Sequence, residues 1–87
     1  MRTKKGFVLR EVGGQTVVIA TGEASENFHG MVKLNPVGKE IWKGVSVGLS
    51  EEEVAGRLTQ IYKVDMDTAM ADTKDFINQM RENGFLV

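Results

Sequence analysis

Eighty-seven residues allow one domain, 1–87, with a thin core, because a chain this small buries only about 60–65% of the surface it exposes when unfolded. An enclosed small-molecule pocket therefore has little room, and a ligand is expected on the surface. Eleven basic and twelve acidic residues give a net charge of −1, which supplies no overall field for holding a polyanion, so no nucleic-acid partner is expected.

The absence of cysteine excludes a disulfide framework, a thiolate metal site and a thiol nucleophile, and a reducing cytoplasmic setting is expected. The opening residues are basic and reach Arg10 before any long apolar run, a pattern that is neither a signal peptide nor a membrane span. Residues 7–20 then read as a hairpin. Phe7-Val8-Leu9 and Thr16-Val17-Val18-Ile19 are β-formers joined across Gly13-Gly14, which can adopt the positive φ of a tight hairpin turn. Residues 21–27 are polar and read as a loop. From Phe28 to Leu34 the pattern alternates, with Phe28, Val32 and Leu34 on one face and His29, Met31 and Lys33 on the other, predicting a third strand with Gly30 as its weak point.

Asn35-Pro36 opens a helix: the asparagine oxygen caps it, and proline at the first helical position sacrifices no hydrogen bond. This helix carries Val37, Ile41 and Trp42 and is expected to stop near Gly44. Ser50-Glu51-Glu52-Glu53 has the capping-box pattern and starts a second helix, expected to bury Val54, Leu58, Ile61 and Tyr62. A third helix is capped by Asp65 or Asp67. It places Ala69, Thr73, Phe76, Ile77 and Met80 on one face and ends at Gly84, with Phe85 positioned to pack behind the cap. Three strands are too few for a sandwich, so the sheet must cover a helical cluster. The expectation is an α+β domain, winged helix-turn-helix-like, with order β-β-β-α-α-α.

Catalysis needs a nucleophile beside a base, tuned carboxylates or a metal, and the residues offer poor material for each. His29, the sole histidine, has Glu23 and Glu26 upstream, but nothing there fixes helical spacing, so it reads as a solvated residue and no metal is expected. The glycines form no phosphate-binding loop and no dinucleotide fingerprint, and no cofactor is expected. Gly56, inside the second helix, marks either close approach of another element or a tolerated weakness. The winged-helix pattern raises DNA binding by the third helix, but that helix carries Asp65, Asp67, Asp72, Asp75 and Glu82 against Lys74 and Arg81, which repels phosphate.

The run Leu34-Asn35-Pro36-Val37-Gly38-Lys39-Glu40-Ile41-Trp42 resembles the leucine-asparagine, glycine, isoleucine-tryptophan signature of the PqqD family. The segments Leu49–Val54, Leu58–Asp65 and Phe76–Leu86 are similar to its later helices in the same order, so the resemblance covers residues 28–87 well and the hairpin in general character. The resemblance implies a peptide-recognition element, not an enzyme. Its partners would be the leader of a ribosomally made precursor peptide, bound by β-augmentation, and a modifying enzyme such as a radical SAM protein. The leader would lie between the third strand and third helix, with Met31, Val32 and Lys33 as candidates on the strand and Met70, Lys74, Ile77 and Arg81 along one helical stripe. Lys74 and Arg81 would meet acids of the leader. The alternative for this stripe is that Ile77 is core and the two cations lie on a solvated face. A monomer or weak homodimer is expected, and a DNA-binding or protein-assembly module is the alternative function.

Overall fold

A computed structural model describes residues 1–22, 25 and 30–87. The grouping of Glu23, Glu26 and His29, the strand position of Phe28 and most of the 21–27 loop lie outside the described residues.

Strands β1 (Phe7–Val12) and β2 (Gln15–Ala20) form the expected hairpin, and β3 (Met31–Leu34) pairs antiparallel with β2, giving the order β1-β2-β3. The turn is made by Gly13 (φ 57°) and Gly14 (φ 81°), and positive φ at both central residues is the signature of the type I′ turn that matches strand twist. Register follows from this turn, with Leu9, Val18 and Val32 in one cross-strand row and Arg10, Val17 and Lys33 in the next. The first row faces the helices. The second lies on the outer face, with Arg10 and Lys33 on either side of a Val17 that is only 1% exposed.

Helices α1 (Pro36–Ser46), α2 (Glu51–Tyr62) and α3 (Met66–Glu82) follow. Each begins where its cap dictates. Asn35 Oδ1 accepts from the Gly38 amide at 2.7 Å, and Asp65 Oδ1 accepts from the Thr68 amide at 2.7 Å. At α2 the capping box is complete, since the Glu53 amide donates to Ser50 Oγ and the Ser50 amide to Glu53 Oε1. The hydrogen bonds hold the Glu53 and Asp65 carboxyls below their usual range. Helix α3 ends as expected at Gly84 (φ 76°), with Phe85 N donating to Met80 O and Gly84 N to Arg81 O, the paired bonds of a Schellman cap. Phe85 then packs between Phe7 and Trp42, its ring centroid 4.9 and 5.4 Å from theirs.

Two helix expectations are corrected. Helix α1 does not stop near Gly44 but continues to Ser46 and closes on Gly48 (φ 89°), where Leu49 N donates to Gly44 O. Gly44 instead sits where α1 meets α2: a Cβ there would stand 2.8 Å from Val54 Cγ2. In α2, Val54, Ala55 and Leu58 are buried, whereas Ile61 and Tyr62 are 48% and 37% exposed, because the helix ends at Lys63 beyond the edge of the core. The buried cluster is completed by Ile41, Trp42 and Val45 from α1 and by Ala69, Ile77 and Met80 from α3.

Two of the three helical glycines, Gly44 and Gly56, should respond oppositely to alanine. Beyond its chain neighbours and its own helix backbone, a methyl group at Gly56 would meet no atom within 4 Å, so Gly56→Ala should raise the unfolding free energy by about 0.5–1 kcal/mol. Gly44→Ala should lower it by about 1 kcal/mol or more, since overpacking outweighs the propensity gain. Urea midpoints at unchanged m-value will read both.

Candidate functional site

Strand β3 is an edge, and the hairpin turn decides what that edge offers. In a two-residue turn the flanking residues Val12 and Gln15 bond to each other, so hydrogen-bonded pairs recur at alternate positions along the ladder. In β2, therefore, Gln15, Val17 and Ile19 direct their backbone groups to β1, and Thr16 and Val18 direct theirs to β3. The partners of Thr16 and Val18 are Leu34 and Val32. Met31 and Lys33 are left with N–H and C=O pointing away from the sheet, two donors and two acceptors with no strand beside them among the described residues.

The side chains divide the other way. Val32 and Leu34 are partly buried against the core, whereas Met31 (54% exposed) and Lys33 stand on the outer face. A peptide added to this edge would present alternate side chains to the helical side, opposite Val32 and Leu34.

Two concavities meet at Asn35, the residue that follows β3. One, of about 240 Å³, runs between α1 and α3 and is lined by Asn35, Val37 and Ile41 from the first and by Asp72, Asp75, Phe76 and Gln79 from the second. The close crossing that forms its wall depends on Gly38, where a Cβ would stand 2.8 Å from Phe76 Cε2. The other, of about 530 Å³, lies at the hairpin tip. There Lys39 Nζ and the Thr16 hydroxyl both donate to Glu11 Oε1, at 2.9 and 2.7 Å, tying the hairpin to α1. The lysine bond is the main cause that holds Glu11 below the usual carboxylate range, and the glutamate in turn raises Lys39.

The expected strand residues Met31, Val32 and Lys33 lie together on the edge. The expected helical stripe does not line the groove between α1 and α3. Ile77 is fully buried core, Met70 is partly buried against that core, and Lys74 and Arg81 are exposed, with Arg81 Nη1 donating to Asn78 Oδ1. At 100° per residue, the stripe 70-74-77-81 and the groove-lining set 72-75-76-79 are roughly 180° apart, on opposite flanks of the buried face of α3. Pattern and resemblance do not single out Asn35, Val37, Asp72, Asp75, Phe76 or Gln79 as site residues. Periodicity assigns Phe76 to the core, and the only signal for the rest of the α3 set is that they share a flank with it.

The family model described as coenzyme PQQ synthesis protein D (PqqD) matches residues 6–86. No curated protein matches the chain. The fold is similar to that of two solved structures. One, "TbiB1 in Complex with the TbiA(beta) Leader Peptide", has a TM-score of 0.78 and 22% identity, with 99% of this chain and 94% of that chain covered. The other, "Lasso peptide synthetase B1 complexed with the leader peptide", has a TM-score of 0.77 and 21% identity, with 97% and 93% covered.

The Glu11–Lys39 tie carries a pH signature. A carboxyl lowered by folding contributes stability above its unfolded value and loses it as pH falls through the folded one. Glu11→Gln should therefore flatten the acid limb of stability against pH relative to the unsubstituted protein, as read by denaturant midpoints from neutral pH into the carboxylate range.

Proposed function

This chain belongs to the PqqD family, and from that premise we propose that it is a non-catalytic adaptor that binds the leader of a ribosomally made precursor peptide. It presents the rest of that peptide to a modifying enzyme, such as a radical SAM protein, in the cytoplasm. The observation that carries this reading is the free edge of β3, with the outward groups of Met31 and Lys33 beside a groove that begins at Asn35. A leader strand pairing with that edge is β-augmentation. The leader peptides present in the two similar structures support the same reading.

Magnitudes decide how much the groove must add. Four backbone bonds at about 1 kcal/mol each barely offset an association cost of about 4 kcal/mol or more. Micromolar affinity needs about −8 kcal/mol. Three leader side chains buried at about 3 kcal/mol each would supply it, and the groove floor of Val37, Ile41 and Phe76 is the apolar surface within reach. On the strand, the proposed contacts are Met31, Val32 and Lys33. On α3, the proposed contacts are the groove-lining residues in place of Met70, Lys74, Ile77 and Arg81. DNA is a poorer partner for this helix, since Asp67, Asp72, Asp75 and Glu82 are all exposed along it.

The edge can be tested without disturbing the sheet. Lys33→Pro removes an outward N–H that takes no part in pairing with β2, and proline is tolerated on edge strands; Lys33→Ala removes only the side chain. In fluorescence-anisotropy titrations with the labelled leader of the precursor encoded beside this gene, Lys33→Pro should bind at least about fivefold more weakly than Lys33→Ala, the worth of one hydrogen bond. Thermal midpoints of the two should be similar. Equal affinities would remove the β3 edge from the site.

A further inference from the structure

The groove that receives the leader is not electrically neutral. Its charged lining residues are Asp72 and Asp75, which are exposed on α3 and have no cationic partner within salt-bridge distance among the described residues. The apolar part of the lining is Phe76, Val37 and Ile41. The cations of α3, Lys74 and Arg81, are on the opposite flank and cannot offset them there.

We infer that the leader read by this chain carries a basic residue two positions from an apolar anchor, both facing the groove. This rests on the peptide-binding reading above and names the chemistry that its site selects. The spacing follows from the ladder. Leader residues opposite Val32 and Leu34 point to the helical side and lie about 6.6–6.8 Å apart, two strand positions. Phe76 and Asp72 are four residues apart, about 6 Å along α3. For a leader strand that runs along α3, an apolar side chain over Phe76 leaves the next groove-facing side chain beside an aspartate. A lysine or arginine can meet it with its head while its stem covers the apolar wall. An acidic residue in the same place would meet two like charges, which excludes leaders of the wrong sign. Acids of the leader are accommodated on its other face, beside Lys33 on the outer side of β3.

The test uses the full chain, the labelled leader of the precursor encoded beside this gene, and peptides in which each basic residue is changed singly to glutamine. Asp72→Asn and Asp75→Asn together keep the shape of the groove and remove its charge. The doubly substituted protein should bind the leader roughly fivefold more weakly at low salt, with the difference shrinking as salt rises. One basic residue of the leader should matter to the original protein and no longer to the substituted one. Affinity unchanged by the double substitution, with Lys33→Pro still impairing binding, would overturn the charge selection and leave the peptide-binding reading standing. A leader that fails to bind the unsubstituted protein would overturn both.

Discussion

The two-glycine turn at residues 13 and 14 is the constraint on which the rest of the site depends. Both glycines hold positive φ, a conformation costly for any residue with a Cβ, and the turn they make forces Val12 and Gln15 into a hydrogen-bonded pair. From that pair onward, parity propagates through the sheet without further choice. It sends Leu9, Val18 and Val32 to the core, leaves Val17 on the outer face between Arg10 and Lys33, and turns the backbone groups of Met31 and Lys33 outward. A slip of one residue would reverse every one of these assignments. The free edge of β3 is thus set some twenty residues away from itself.

A second set of glycines brings the helices close enough to build the groove. Gly44 admits Val54 where α1 crosses α2, and Gly38 admits the Phe76 ring where α1 crosses α3. Such positions cost helix propensity, and the caps at Asn35, Ser50 and Asp65 offset it by holding each helix start in place. Phe85, fixed behind the α3 cap, closes the far end of the core against Phe7 and Trp42. The groove between α1 and α3 then lies at the one end of the helical cluster where β3 hands the chain to α1.

Much of this is legible in the sequence, because it is local. The hairpin, the three helix starts, the Gly84 stop and the buried line of Ala69, Thr73, Ile77 and Met80 each follow from turn chemistry, capping oxygens or a 3.6-residue period. The end of α1 is not, since Gly44 as a packing glycine and Gly44 as a stop look identical until Val54 is seen beside it. Ile61 and Tyr62 fit the apolar period of α2 but lie past the reach of the core. The groove side of α3 is illegible for a similar reason. Periodicity identifies which face is buried, yet the two flanks of that face are equivalent until the placement of α1 selects one, and it selects the flank of Asp72 and Phe76 over that of Lys74 and Arg81. The β3 alternation, by contrast, places Met31 and Lys33 outside and Val32 and Leu34 inside from the residues alone.

The central claim is that a leader strand pairs with the outward groups of β3, and amide hydrogen exchange followed by NMR tests it residue by residue. Val32 and Leu34 already bond to β2, so their amides should be protected with or without peptide. On addition of the leader, the amides of Met31 and Lys33 should change from fast to slow exchange. Saturable binding that leaves Met31 and Lys33 exchanging as in the free protein would contradict β-augmentation at this edge.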